Sequence, residues 1–429
     1  MFTLWGTVTA LSSGMITIEG ISEFAGIGNE ISITTRGQTL HGEILSVSST
    51  HAIALLFSGS EEVRIGDRVV VHPEATITVG DHWLGKVVNY RGDVTDNQSP
   101  FGQVASRPLN SPPPDARNRR SLGGRLNTGL MMTDTLLPIC RGQRIGLFAG
   151  SGVGKSTLLG ALAKGVGADR IVIGLIGERS REVNEFAQRI LSPEAAARTV
   201  IVAATASEPP GAKKRAAFCA TAAAEHFRDE GHSVLLIMDS ITRFAEAHRE
   251  TALLAGETPA LNAFPPSTVR VISELAERSG PGADTQGDIT AIYSVLVAGS
   301  DMEEPVADMI RGVLDGHIIL SRDIAERGRY PAVDILRSVS RSLPNAANEE
   351  QNQLLTDYRR NIALYEEVAP MLRADLYEYG KDAATDRAIA LYPALDEFVG
   401  SPNPGTIEEA FYELRKILSG GASDEIQPA

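Results

Sequence analysis

The sequence predicts an α/β protein whose core is a parallel sheet covered by helices on both faces. From Leu137 onward, apolar strand segments alternate with helical ones, as in sheets joined by crossover helices. Strand patterns cease after about Asn345, and helical periodicity continues from there. We therefore divide the chain into an N-terminal β-barrel (1–76), a nucleotide-binding core (77–345) and a C-terminal helical domain (346–429).

The N-terminal prediction rests on six short segments rich in β-branched and apolar residues, separated by glycine, serine and asparagine: Thr3 to Leu11, Met15 to Glu19, Glu30 to Thr34, Gly42 to Val47, Ile53 to Phe57 and Arg68 to His72. Several short strands without helical period indicate a small closed barrel. A ligand-binding module is an alternative. Because no reactive side chains are concentrated there, we favour a structural or ring-forming domain.

Between barrel and core, residues Ser99 to Arg120 read as a long exposed loop. A proline run is followed by the basic residues Arg117, Arg119 and Arg120. These arginines suit an acidic partner, but a solvated linker is the simpler interpretation.

The remaining helices follow from apolar periodicity. In the core we predict helices from Arg181 to Leu191, from Gly211 to Asp229 and from Ile241 to Leu254. The C-terminal domain is predicted to contain three: Glu349 to Leu372, Thr385 to Phe398 and Thr406 to Leu418.

Bulk properties restrict the classes of function. In 429 residues the formal net charge is −14, which disfavours non-specific binding to nucleic acid or anionic lipid. Two cysteines cannot build a disulfide framework, so a reducing cytoplasm is the expected compartment. With no signal peptide and no apolar run of spanning length, we expect membrane association only through docking on other proteins.

A glycine-rich turn carries the first chemical signal. The apolar strand Ile145 to Phe148 precedes it, and a helix-forming segment follows. This is the context of a phosphate-binding loop, although Ala149 stands where the strict pattern has its first glycine. Backbone N–H groups and a helix N-terminus would bind a nucleoside triphosphate there. The predicted binding residues are Gly150, Ser151, Gly152, Val153, Gly154, Lys155, Ser156 and Thr157.

Two acidic residues follow apolar strands of the same predicted sheet. Asp239 ends the strand from Val234, which would place its carboxylate near Mg²⁺ together with the Ser156 hydroxyl. Glu178 is placed to orient the water that attacks the γ-phosphate. The alternative for Glu178 is an ordinary acidic residue at a helix N-terminus.

Five segments together resemble the type III secretion ATPases, which are RecA-like relatives of rotary ATP synthase catalytic subunits. The similarity runs in register from about Thr128 to Arg341, and the flagellar protein-export branch is the most similar. The segments are Gly177 to Val183, Leu235 to Arg243, Pro265 to Ser267, Leu314 to Arg322 and Tyr330 to Asp334.

The resemblance implies roles for individual residues. Lys155 would hold phosphates, Glu178 would activate water, and Arg179 would lie near the phosphates. Tyr330 would stack on adenine, and Arg341 would be an arginine finger that reaches the neighbouring subunit's nucleotide. From the residues alone, Arg341 is a loop arginine and Tyr330 a packed aromatic.

The function so implied is Mg²⁺-dependent ATP hydrolysis that energises flagellar protein export by a homo-hexameric ring. Implied partners are export-apparatus membrane proteins, stalk and regulator proteins and cargo–chaperone complexes at the inner membrane. The alternatives are a virulence injectisome ATPase, a rotary ion-translocating subunit, an RNA translocase and a nucleotide-binding regulator without hydrolysis.

Overall fold

A computed structural model describes residues 4–12, 14–35, 37–72, 74–94, 104–260, 264–297 and 302–420. The predicted strand, barrel and helix regions fall almost entirely within these ranges. Residues 95–103, which include the start of the predicted loop, lie outside them.

The N-terminal region is a closed six-stranded barrel, as predicted. Its strand order is β1-β2-β5-β4-β3-β6. Alternate side chains, such as Val8, Ile18, Ile31 and Val69, fill the interior and are fully buried. The strands are β1 (Trp5–Ser12), β2 (Met15–Glu19), β3 (Glu30–Thr34), β4 (Thr39–Val47), β5 (His51–Leu56) and β6 (Arg68–His72).

The connection to the core is more ordered than the sequence indicates. Three strands lie in it: β7 (Thr76–Gly80), β8 (Val87–Asn89) and β9 (Val104–Pro108). β9 pairs antiparallel with β7, and β8 joins the edge of the core sheet beside β12. The prediction of a continuous loop from Ser99 to Arg120 is therefore wrong for β9. That strand is short and ends in proline, and only its distant partner reveals it.

Two of the linker arginines bind the core. Arg119 donates to the carbonyl of Ser279 at 3.0 Å, and Arg120 pairs with the Asp288 carboxylate at 2.5 Å. Arg117 extends into solvent with 88% of its side chain exposed, against 14% for Arg119 and 37% for Arg120. The interpretation of the cluster as a solvated linker is thus wrong for Arg119 and Arg120. These two side chains fasten the linker by satisfying acceptors of the core.

The core is a nine-stranded sheet of order β17-β16-β10-β15-β13-β11-β12-β8, with β14 paired to β15. All pairings are parallel except those of β14 and β17. The carboxyl ends of β10, β11, β13 and β15 therefore share one edge. The strands are β10 (Arg144–Ala149), β11 (Arg170–Glu178), β12 (Thr199–Thr205), β13 (Ser233–Asp239), β14 (Gly280–Pro281), β15 (Asp288–Leu296), β16 (Gly316–Leu320) and β17 (Val333–Ser340).

Both faces of this sheet are covered, as predicted for a parallel sheet. Along β13, Leu236 and Met238 pack in the cluster that contains α5, whereas Leu235 and Ile237 pack in the cluster that contains α2. The core helices are α1 (Met131–Asp134), α2 (Lys155–Gly165), α3 (Ser180–Glu185), α4 (Pro193–Ala197), α5 (Pro210–Asp229), α6 (Ile241–Leu254), α7 (Ser267–Glu277), α8 (Pro305–Arg311) and α9 (Arg322–Glu326).

The predicted helix from Arg181 to Leu191 differs in type. It begins as α3 and continues as a π-helix over Phe186–Ile190. Ile190 there packs on Gly160 of α2, where an added Cβ would lie only 2.1 Å from the isoleucine Cγ2. This close contact between two helices is a tertiary effect that residue periodicity does not reveal.

The three C-terminal helices are found close to the predicted bounds: α10 (Glu349–Arg373), α11 (Ala383–Gly400) and α12 (Ile407–Leu418). Capping boxes begin α10 at Asn348 and α12 at Thr406. Among the described residues, no helix is both long and apolar enough to cross a membrane.

One buried ion pair joins α5, α7 and the linker. Arg278 pairs with both carboxylate oxygens of Glu225, at 2.9 and 2.6 Å, and donates to the Leu109 carbonyl at 2.7 Å. Both charged side chains are buried. Bidentate geometry with a third hydrogen bond is what such a pair requires in a dry environment.

We expect Arg278→Met to lower the free energy of unfolding by about 3–5 kcal/mol, because Glu225 would remain buried without its counter-charge. Urea denaturation measures this loss. The double variant Arg278→Met with Glu225→Met should recover most of it, since neither charge is then left alone.

Arg270→Met is the matched control, because this arginine of α7 pairs with Glu274 on the exposed surface. Its cost should stay within about 1 kcal/mol. Equal effects of the two single substitutions would contradict the role given to the buried pair.

Candidate active site

The loop between β10 and α2 has the geometry of an anion cradle. Gly152 and Gly154 have φ values of 79° and 90°, which favour glycine. No side chain caps the first turn of α2, so its N–H groups point toward the loop without a side-chain partner. A Cβ at Gly152 would meet no atom, which leaves open space above the loop. This arrangement suits phosphate oxygens.

Lys155 begins α2 and reaches across the edge of the sheet. Its Nζ bonds to the Asp239 carboxylate and lies 3.5 Å from Glu178 Oε1. Burial lowers the pKa of Lys155, but the two carboxylates outweigh burial and hold that pKa above its ordinary value. The side chain is therefore an ammonium at physiological pH.

Glu178 and Asp239 are brought together by strand pairing. β11 and β13 are neighbours, with Leu175 opposite Asp239, so both carboxylates end at the same edge. Burial and the nearby Asp239 carboxylate raise the pKa of Glu178 to about 7, although Lys155 pulls it down. A carboxyl group with this pKa can exchange a proton near neutral pH.

Ser294 is a contact that the sequence reasoning missed. Its hydroxyl donates to Asp239 Oδ1, and its side chain is fully buried on β15 between the strands of the loop and of Asp239. The available signal was a polar residue near the end of a mainly apolar strand. The bond fixes the orientation of the Asp239 carboxylate.

The oxygen donors suit Mg²⁺ when phosphate supplies further ligands. Ser156 lies in the first turn of α2, at the edge that Asp239 also reaches. Within the described ranges, no group of three His, Cys, Asp or Glu residues is arranged to hold a metal by itself. A hydroxyl and carboxylates match the hard oxygen ligands of Mg²⁺, which is commonly held jointly by protein and nucleotide.

Tyr330 and Arg322 border the loop on its other side. Tyr330 is 52% exposed, and its ring lies 3.2 Å from where a Cβ of Gly154 would be. Arg322, at the start of α9, donates to the Ser151 carbonyl at 3.3 Å. Arg322 belongs to a recognised motif, but nothing in the sequence indicates this contact with the loop.

Arg179 takes no part in the interactions of Lys155 with Glu178 and Asp239. Its side chain is 78% exposed, and its Nε lies 3.9 Å from Glu182 Oε1. It therefore stands beside the site, directly after Glu178, and faces solvent.

Arg341 lies at the opposite end of the sheet. β17 runs antiparallel to β16, and Ser340 is opposite Gly316, next to His317, which pairs with Gly146. Arg341 is thus level with the start of β10, about five residues or roughly 17 Å along the strand from the loop. Its side chain is exposed and forms no ion pair within the described part of the chain. Arg341 and the loop of the same chain are not brought together.

Family models match two parts of the chain. Residues 129–340 match the nucleotide-binding domain of the ATP synthase alpha/beta family. Residues 347–414 match the C-terminal domain of the type III secretion ATPase EscN. The first match covers most of the core, and the second covers most of the C-terminal helices.

Individual relatives match over nearly the whole chain. A flagellum-specific ATP synthase of Caulobacter vibrioides is 38% identical over 426 residues, which cover 97% of this chain and 96% of the relative. An SPI-2 type 3 secretion system ATPase of Salmonella typhimurium is 40% identical over 396 residues, covering 92% and 90%.

Solved structures point to the same family. The assembled ATPase EscN of the enteropathogenic E. coli type III secretion system matches with a TM-score of 0.89 at 35% identity, covering 96% of this chain and 100% of that one. The same ATPase in complex with its central stalk EscO matches with a TM-score of 0.87 at 35% identity, again over 96% and 100%. The chain therefore belongs to the ATP synthase alpha/beta family, among the flagellum-specific ATP synthases and type III secretion ATPases.

Proposed function

We propose that this protein is an ATP hydrolase that energises protein export through a flagellar type III secretion apparatus, working as a homo-hexameric ring. One observation carries the proposal. Lys155, Glu178 and Asp239 meet at one edge of the sheet, while Arg341 is exposed at the other. Within each chain, Arg341 thus lies far from the phosphate loop of the same chain.

The chain's own groups account for the chemistry. Backbone N–H groups of the loop would bind the phosphates, and Lys155 would turn from its carboxylates toward the β- and γ-phosphates. Glu178, then relieved of that ammonium, would orient the attacking water and accept its proton. Mg²⁺, held by Ser156 and Asp239, would neutralise phosphate charge. Ser294 would keep Asp239 in place.

Two further residues would complete the nucleotide pocket. We assign the exposed ring of Tyr330 to stacking on adenine, because it borders the loop at Gly154. Arg179 follows Glu178 directly and is free to turn toward the phosphates, so we assign it to their charge.

The second half of each site would come from the next subunit. Arg341 of one chain would reach the nucleotide of its neighbour, as an arginine finger supplied in trans. The assembled state of EscN, to which this chain is similar over 96% of its length, supports a ring. Since one chain carries both halves, identical subunits suffice to complete every site. An assembly of two alternating kinds of subunit, as in a rotary enzyme, is not needed.

We place the protein in the cytoplasm, docked on the export apparatus at the inner membrane. EscN has a central stalk, EscO, and we propose an equivalent stalk partner here. Membrane components, a regulator and cargo–chaperone complexes are the other proposed partners. The net charge of −14 disfavours nucleic acid as a partner. The domain boundaries 1–76, 77–345 and 346–429 belong to the same proposal.

Glu178→Gln should lower kcat by about 10²- to 10⁴-fold, because the amide cannot accept a proton from water. Nucleotide affinity should remain, since the loop and Lys155 are unchanged. Steady-state hydrolysis and fluorescent-nucleotide binding measure the two quantities. Glu185→Gln, an exposed glutamate of helix α3, which follows Glu178, should behave as wild type. A Glu178→Gln enzyme with full activity would exclude Glu178 as the base.

Activity per subunit should rise steeply with protein concentration, because the site is complete only in the ring. Arg341→Ala should abolish this rise and lower kcat of assembled protein by about 10³- to 10⁵-fold. Arg337→Ala is the control, an exposed arginine on the same strand. Activity that is linear in concentration and insensitive to Arg341→Ala would contradict the shared site.

In cells, replacing the gene by its Glu178→Gln form should stop secretion of flagellin and abolish motility. Immunoblots of culture supernatants, with flagellin in the cell pellet as control, measure this. Intact flagella combined with lost effector secretion would instead identify an injectisome ATPase, as the 40% identity to the SPI-2 relative allows.

A further inference from the structure

A buried glutamine lies between the strand of the phosphate loop and the segment of Arg341. Gln143, just before β10, is fully buried. Its Oε1 accepts from the Cys140 amide at 2.8 Å. Its Nε2 donates to the Asp315 carbonyl at 3.1 Å and to Ser340 Oγ at 3.2 Å. All of these contacts are made inside the protein.

Both acceptors of the Gln143 side-chain amide lie next to Arg341. Ser340 is the residue before it, and the Asp315 carbonyl also accepts the backbone N–H of Arg341, at 2.9 Å. The side-chain amide of Gln143 thus ties two of the groups that fix where β17 ends. Ser340 is held further by donating to the Pro138 carbonyl at 2.6 Å.

Asp315 is itself fixed by the strand of the loop. Its carboxylate accepts from the Arg144 backbone at 2.9 Å and from Arg144 Nε at 3.2 Å. Arg144 also pairs with Glu277 at 2.5 Å. The first residue of β10, Arg144, therefore holds Asp315, whose carbonyl accepts the backbone N–H of Arg341. The last residue of β10 leads into the phosphate loop. One strand, six residues long, carries both attachments.

We propose that Gln143 is a positioning residue for hydrolysis: it sets the place of Arg341 and ties it to the strand that carries the phosphate loop of the same subunit. The inference rests on the proposed action of Arg341 on the neighbouring subunit. A buried network of this kind holds its members in one arrangement, because a lost partner leaves a polar group unsatisfied. Arg341 itself is exposed, so the direction of its side chain depends on where these hydrogen bonds hold its backbone.

The variant Gln143→Met keeps the side-chain length and removes the three hydrogen bonds. We expect kcat of the assembled enzyme to fall by about 10- to 100-fold, the range that a displaced catalytic group costs. KM for ATP should change less than about threefold, because Lys155 and the loop are untouched. A rise in KM with unchanged kcat would overturn the inference.

Mixed rings locate the defect. In an equimolar mixture of Gln143→Met and Lys155→Ala subunits, roughly a quarter of the interfaces pair an intact loop with an intact arginine segment. Hydrolysis should therefore exceed the mean of the two separate rings at least fivefold. A larger gain is expected from Arg341→Ala mixed with Lys155→Ala, because the separate Arg341→Ala ring is less active, and this mixture calibrates the assay.

The two mixtures distinguish the two hypotheses. A gain with Arg341→Ala but none with Gln143→Met would show that Gln143 acts on its own loop, and would overturn the inference. No gain in either mixture would overturn the trans site of the proposed function, and with it the positioning role.

Ser340→Ala provides a second, smaller change in the same network, should Gln143→Met fail to assemble. It should show the same fall in kcat at constant KM and the same gain on mixing. Ser338→Ala is the matched control: this serine is buried on the same strand, but it bonds to Ile319 and Asp334. Equal kinetics of Ser338→Ala and Ser340→Ala would count against the network.

Discussion

The ammonium of Lys155, held between the carboxylates of Asp239 and Glu178, is the interaction on which the site depends. Two carboxylates ending adjacent strands would otherwise repel each other in a poorly solvated place. Removing one member of such a group typically costs several kcal/mol, so the three residues hold one another in place. A triphosphate brings its own negative charge to the same ammonium. Binding can therefore exchange one partner of Lys155 for another without leaving the lysine unpaired.

The direction of the strands determines which residues can share that site. Parallel strands bring the loop, Glu178 and Asp239 to one edge, because each follows the carboxyl end of its strand. β17 alone among the long strands runs the other way, and its end carries Arg341 to the far edge. A single reversed strand thus separates Arg341 from Lys155, Glu178 and Asp239 of the same chain. The proposed sharing of each site between two subunits would resolve this separation.

Sequence patterns predicted the parts of the fold whose signals are local. The barrel strands alternate, the core strands are uniformly apolar, and Asn348 and Thr406 cap their helices, so these elements could be predicted. Features that depend on distant partners could not. β9 needs β7 as its partner, and Arg119 and Arg120 look solvated until their acceptors on the core are known. Likewise, Glu178 and Asp239 were identified by position, whereas the Ser294 and Arg322 contacts required the folded chain.

The placement of Gln143 connects these two constraints. Glutamine is an ordinary residue for a turn before a strand. Burial nevertheless restricts the side-chain amide of Gln143 to acceptors that lie next to Arg341, the Asp315 carbonyl and Ser340 Oγ. β10 is hydrogen-bonded on both sides, to β15 and β16, and a closely packed interior of this kind transmits strain. A shift of the phosphate loop would therefore displace residues at the opposite end of β10, where Arg341 lies. In the proposed ring, that edge would face the nucleotide of the next subunit, so β10 would connect the phosphate loop of one site with the arginine of another.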